Sequence, residues 1–145
     1  MLEVYTFTVP GRPIGKDRPR FDTRAMRTYT PRKTKIYERK VQQAFRLENP
    51  EATPLLGPVK VTIFAYFSIP KSWSKKKHSW AADGLIRPST TPIDCDNIAK
   101  AVCDGLNGIA YKDDHQIVRL EVEKVYTEKE ERAKVFVESV PDWEG

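Results

Sequence analysis

Asp94-Cys95-Asp96-Asn97-Ile98-Ala99-Lys100-Ala101-Val102-Cys103-Asp104-Gly105-Leu106-Asn107-Gly108 is the stretch that decides how this chain is read. Ile98, Ala101, Val102, Gly105 and Leu106, with Ile109 beyond them, recur at helical spacing and make one apolar face. Asn97, Lys100, Asp104 and Asn107 make the opposite, polar face. Pro92 ends whatever precedes, and Asp94, Asp96 and Asn97 all suit a helix N-cap. Acids also suit the positive end of a helix. Gly105 and Asn107-Gly108 predict the stop. From Gln116 to Tyr126 the pattern reads as a strand, with Val118, Leu120, Val122 and Tyr126 on one side. Asp113-Asp114 therefore stands just before a strand, where a short loop returns it to the start of the helix.

Working outward, Val59 to Ile69 is the clearest strand, with Val59, Val61, Ile63, Ala65, Phe67 and Ile69 on one face. Phe64 and Tyr66 lie on the other, which predicts a central strand covered on both sides. Leu2 to Val9 alternates and ends at Pro10-Gly11. Gly11 to Phe21 reads as a rigid basic loop. Thr30-Pro31 is an N-cap with proline at the first helical position, opening a helix to about Leu47 with Tyr37, Val41, Ala44 and Phe45 inward. Lys71 to Pro92 is a polar connection with a short helical piece around Lys75 to Ala82, and Lys134 to Val140 is a last strand. The expected order is β-α-β-α-β-β. This is an α+β domain with a mixed sheet of about four strands and two main helices, spanning residues 1–145.

Composition narrows the function. The chain of 145 residues carries 39% hydrophobic and 31% charged residues, a net charge of +5 and a pI near 9.2. A basic balance favours a polyanionic partner. Residues 11–46 hold twelve Lys or Arg against three acids, a net of +9, whereas residues 119–145 hold five against eight, a net of −3. That asymmetry predicts one nucleic-acid face. Cys95 and Cys103 lie eight residues apart, about 12 Å along a helix, too far for a disulfide. No apolar run approaches about 18 residues, and no signal-peptide core is present. The expectation is a soluble cytoplasmic protein.

In a basic chain, Asp94, Asp96, Asp113 and Asp114 need something to hold them together, and magnesium takes carboxylate oxygens. Phosphodiester hydrolysis needs such carboxylates, an activated water and a cation near the developing charge. Lys100 fits the last role, although Asp96 to Lys100 is also the spacing of a helix salt bridge. The plain alternative for Asp94 and Asp96 is a helix cap and a turn. Asp104 lies one turn further along and is expected to support Lys100 or the loop. Adjacent acids in an extended segment point apart, so only one of Asp113 and Asp114 is expected to bind metal. Other metal chemistry fails on spacing. From Asp94, an EF-hand would need glycine and an acid where Ala99 and Gly105 stand, and Cys95, Cys103, His78 and His115 have no zinc pattern. There is no P-loop and no dinucleotide-binding glycine pattern.

The basic segment mixes arginine, proline and aromatics. Arg12, Lys16, Arg18, Arg20, Arg24 and Arg27 can present cations to phosphates. Lys75, Lys76 and Lys77, flanked by Trp73 and Trp80, form a second candidate, with a ring for stacking on an unpaired base or for holding down a loop.

Asp94-x-Asp96-Asn97-x-x-Lys100, Asp104-Gly105-Leu106-Asn107-Gly108 and Asp113-Asp114-x-Gln116-Ile117 together resemble the RusA-type Holliday-junction resolvases of bacteria, prophages and phages. Val9-Pro10-Gly11-Arg12-Pro13, Lys16-x-Arg18-Pro19-Arg20-Phe21 and Tyr29-Thr30-Pro31 resemble the start of many members. One departure is Ile93, where some members carry a basic or proline residue. The resemblance implies a small α+β homodimer that nicks four-way DNA junctions symmetrically in recombination and repair. It further implies magnesium, with manganese an alternative, on Asp94, Asp96 and Asp114, and Lys100 as an essential lysine. Asn97, Asp104 and Asp113 are possible supporting residues. A nuclease for other branched or flapped DNA, and a DNA-binding protein without catalysis, are the alternatives.

Overall fold

The computed structural model describes residues 2–15, 20–29 and 32–141. The elements are β1 (Val4–Pro10), β2 (Arg20–Asp22), β3 (Arg27–Tyr29), α1 (Arg32–Glu48), β4 (Val59–Ser68), α2 (Lys75–Ala82), α3 (Cys95–Leu106), β5 (Ile117–Thr127) and β6 (Arg132–Ser139). The sheet has the order β1-β6-β4-β5. β4 pairs in parallel with β5 and antiparallel with β6, and β6 pairs antiparallel with β1. The fold is thus α+β with a mixed four-stranded sheet, as expected. Parallel neighbours require a long crossover. Here it carries α2 and α3, and so lays α3 beside β5.

The helix layer covers one face of the sheet. Phe7 and Val9 of β1, Val61, Ile63 and Phe67 of β4, and Val135 and Val137 of β6 are buried there with Tyr37, Val41 and Phe45 of α1 and Ile98, Val102 and Leu106 of α3. Phe45 meets Phe7 and Tyr5 edge-on, each at 5.4 Å between ring centroids. A side chain of this size contributes about 1.5–3 kcal/mol when fully buried.

Several expectations change. The expected element order omitted the basic stretch: residues 20–29 form a second sheet, the β2–β3 hairpin, rather than a loop. Its turn is held by the Asp22 carboxylate, which accepts from the N–H groups of Arg24 and Ala25. The short helical piece expected at Lys75 to Ala82 is α2, capped by the Ser74 hydroxyl accepting from the Lys77 N–H. Thr30-Pro31 lies outside the described residues. Only one face of β4 is covered by helices, and Phe64 and Tyr66 on the other are half-buried. Val118 leaves the face of Leu120, Val122 and Tyr126. The register slips from Val59–Ile117 to Lys60–Arg119, which bulges Val118 out to 63% exposure. Gly105 is no stop signal but a buried contact inside α3. A Cβ there would stand 3.1 Å from the Val41 side chain and 3.2 Å from the Glu38 carbonyl, so glycine lets α1 and α3 approach. Gly108, in the turn that follows α3, adopts φ +76°.

Candidate active site

α3 begins at Cys95 with Asp94 as its N-cap residue, but the Asp94 carboxylate makes no capping bond. It stays exposed at the positive end of the helix, as does Asp96 in the first turn. Along the same helix face come Lys100 and Asp104, one turn apart. This face forms one wall of a cleft of about 400 Å³. Asp96, Lys100 and Asp104 line it from α3, Asp114 from the turn before β5, and Arg119 and Leu120 from the start of β5. Asp94 is not among the lining residues.

The return of Asp114 is built by a tied-down loop. The buried Tyr111 hydroxyl donates to the Cys103 carbonyl at 2.7 Å, fixing the loop to α3. The Leu55 N–H donates to the Ala110 carbonyl at 2.8 Å. Gln116 then staples the turn. Its Nε2 donates to the carbonyls of Leu55 and Gly57, both at 2.9 Å, and its Oε1 accepts from the N–H groups of Lys112 and Asp113. Residues 114–116 form one turn of 3₁₀ helix with Asp113 as its cap.

That turn separates two adjacent acids. Asp113 accepts from the His115 N–H at 3.0 Å and lies 2.8 Å from His115 Nδ1, so local structure uses its carboxylate. The His115 N–H holds its pKa below the ordinary carboxylate value. Asp114 lines the cleft instead. The Asp113 carboxyl beside it raises its pKa, with smaller contributions from desolvation and the Asp104 charge. Cys103, buried under the cleft, has its thiol pushed up to about 11, chiefly by burial. The cleft thus concentrates negative charge around Lys100.

A set of exposed carboxylate oxygens that crowd one another is what a hard divalent ion fits. Among the described residues, no three His, Cys, Asp or Glu side chains stand close enough together to hold a metal ion. The acids line the cleft without converging on one point.

Three features of the site escaped the sequence reading. Asp104 stands in the cleft with Asp96 and Asp114, not merely behind Lys100. Arg119 adds a second cation, and Val118 and Leu120 form an apolar lip. The helical repeat from Asp96 through Lys100 to Asp104 was a visible signal for the first. The bulge that places Val118 and Arg119 had none.

The basic residues scatter. Arg12 is paired with Glu131 at 2.8 Å and packs over the Phe67 ring at 5.1 Å, so it joins the loop to the connection between β5 and β6 and to β4. Lys16 and Arg18 lie outside the described residues; Arg20 opens β2, with its side chain outside the described part. Arg24 and Arg27 are exposed on the β2–β3 hairpin. On α2, Lys75 is exposed, Lys76 lies over Trp80 at 5.2 Å, and Lys77 over Trp73 at 4.0 Å. The two tryptophans differ. Trp73 meets Tyr126 edge-on at 5.3 Å and anchors α2 to β5, while Trp80 is 41% exposed. Asn97, half-buried, lies against Gly15. A Cβ at Gly15 would come within 2.9 Å of the Asn97 Cβ and 3.3 Å of the Ile93 side chain, so the basic segment leaves from the start of α3.

Two comparisons bear on this arrangement. The chain is 40% identical over 143 residues to the "Uncharacterized protein YqaN" of Bacillus subtilis (strain 168), an alignment that covers 96% of this chain and 99% of that protein. The family model described as "Endodeoxyribonuclease RusA" matches residues 10–138, which include both walls of the cleft, the stapled loop, β4, β5 and β6 down to Glu138. This chain belongs to the RusA endodeoxyribonuclease family.

Proposed function

We propose that this chain, as a single domain spanning residues 1–145, resolves four-way DNA junctions by paired nicks and uses a divalent ion, magnesium or manganese, to do so. The observation that carries the reading is the cleft that Asp96, Lys100, Asp104 and Asp114 all line, in a chain of an endodeoxyribonuclease family. Asp96 and Asp114 would hold the ion, together with Asp94 at the start of α3. A divalent ion on such carboxylates supplies an activated water and neutralises charge on the phosphate. The protein's own residues do the rest. Lys100, one turn from both Asp96 and Asp104, offers an ammonium to the charge that grows on the phosphodiester oxygens. Asp104 holds that ammonium in the cleft, and Asn97 keeps the start of α3 against Gly15. Asp113 braces the turn that aims Asp114. Arg24 and Arg27 on the hairpin, and Lys75, Lys76 and Lys77 on α2, meet DNA phosphates, with Trp80 exposed for stacking.

A junction has two-fold symmetry and each chain one cleft, so paired nicking calls for two copies. The helix-free face of the main sheet suits a self-contact. Phe64 and Phe136 meet edge-on at 6.2 Å there, and Arg132 lies over Tyr66 at 4.0 Å. Light scattering should give about twice 16.7 kDa. A monomer at micromolar concentration that still resolves junctions fully would overturn the dimer.

The test of function is a labelled four-way junction incubated with the pure protein and magnesium. Symmetrical nicks with 5′-phosphates are expected, and none in EDTA. Faster cutting of a flap substrate than of the junction would move the assignment to branched DNA in general. Binding without any cutting would leave a DNA-binding protein.

A further inference from the structure

A second groove, of about 430 Å³, lies away from the acidic cleft, between residues 12–14 and the first half of α1. Arg12, Arg32, Lys33 and Lys40 line it, over a floor that includes Ile14, Ile36 and Tyr37. No acid is among its lining residues in the described part of the chain. Arg12 is already held by Glu131. Arg32, Lys33 and Lys40 form no ion pair among the described residues, and the first turn of α1 contains no acid. Gathering like charges without a counterion costs free energy, and a bound polyanion removes that cost.

Lys40 reaches back to the residue that precedes the groove's Arg12. Its ammonium lies over Gly11, where a Cβ would come within 2.8 Å of it. Gly11 has φ +92°, which also favours glycine there. Ile14 lines the groove, and the next residue, Gly15, abuts Asn97 and Ile93 at the start of α3. The groove is thus one residue along the chain from the helix end that bears Asp94 and Asp96.

We propose that this groove is the track for the sugar–phosphate backbone of a duplex DNA arm that leads to the cleft; this rests on the DNA-cutting reading above. Lys33 and Lys40 are seven residues apart, about 10 Å along the helix. One DNA strand places a phosphate every 3.4 Å or so along the duplex axis and further apart along its winding backbone, so the groove meets only a few successive phosphates. The cations meet the phosphates and the apolar floor meets sugar. No base edge is read, so grip is independent of sequence.

The test is binding of a four-way junction in EDTA by Arg32→Ala/Lys33→Ala/Lys40→Ala protein, across a salt series. A control, Arg46→Ala/Lys71→Ala/Lys129→Ala, removes the same charge at exposed positions outside the groove. The groove variant should bind at least about tenfold more weakly than wild type, and its plot of log affinity against log salt should be shallower by about 2–3. Its single-turnover cutting rate at saturating DNA should match wild type, since none of the three residues lines the cleft. Circular dichroism checks that both variants fold. If wild type cuts junctions, and the groove variant equals the control in affinity and salt slope, the track is overturned. If wild type binds but never cuts, the catalytic reading fails, and the binding arms still decide the groove.

Discussion

α1 and α3 pack against each other through Val41 and Gly105, yet they expose opposite chemistry. α3 offers Asp96, Lys100 and Asp104, set one turn apart and facing Asp114 across a cleft. α1 offers Arg32, Lys33 and Lys40, spread along a groove that no acid lines among the described residues. Beside α3 the pKa of Asp114 is raised, chiefly by Asp113 and desolvation and to a smaller extent by Asp104 of α3. The α1 charges that line the groove are of one sign and spread over about two turns. The contrast separates chemistry from grip. Reaction at one phosphate needs a few groups brought to one place, whereas holding a polyanion needs many weak contacts at intervals. Substitutions on α3 should therefore change rate, and substitutions on α1 affinity.

The largest expected effect breaks the α3 side outright. Asp96→Asn or Asp114→Asn should abolish cutting of a four-way junction while leaving binding in EDTA intact or slightly tighter, because a negative charge near DNA is lost. Asp94→Asn should do the same, although Asp94 does not line the cleft. Near-normal cutting by Asp94→Asn would confine the metal site to the cleft residues.

Lys100→Ala comes next. The single-turnover rate at saturating junction should fall roughly 10²–10³-fold, the scale for losing one stabiliser of transition-state charge. A loss seen only in the dissociation constant would make Lys100 an anchor like those of α1, and the contrast between the helices would dissolve.

A smaller effect separates the supporting acids. Asp104→Asn should slow cutting about 10- to 100-fold, the range for groups that orient a ligand or its neighbour. Asp113→Asn should cost less than Asp114→Asn, since Asp113 is engaged with His115. The reverse ranking in a rate assay would exchange the roles of the two neighbours.

The mildest substitution addresses how the walls are held. Gln116→Ala removes both donations to carbonyls of residues 55 and 57 and both acceptances in the turn. Chemical denaturation should show a loss of about 1–3 kcal/mol, and cutting should slow with affinity unchanged. Unchanged stability would mean that water replaces the Gln116 amide at no cost.

Much of this was legible in the chain itself. The period-2 pattern from Val59 to Phe67 gave a central strand, and the 3.6-residue pattern from Ile98 to Leu106 gave α3 with its acids at the positive end. Such patterns survive because each residue's face follows from its own position in the chain. The spacing of Asp94, Asp96, Lys100 and the pair Asp113-Asp114 marks them as one cluster in the sequence, and the family resemblance singles out Asp114 of the pair. The β2–β3 hairpin was missed because its strands are three residues each, too short for alternation to register. Its arginines and aromatics read equally well as loop.

What tertiary structure alone decided were the contacts between distant segments. Sequence could not show that Gly105 is the contact point of two helices, since a glycine near a helix end also reads as a stop. Nor could it show that Asp104 shares a cleft with Asp114, because that depends on the crossover laying α3 along β5. The split between Asp113 and Asp114 needed the 3₁₀ turn, in which the stapling by Gln116 overrides the extended geometry that adjacent acids would otherwise adopt. Local periodicity reports which face a residue shows, and only packing determines which other residue that face meets.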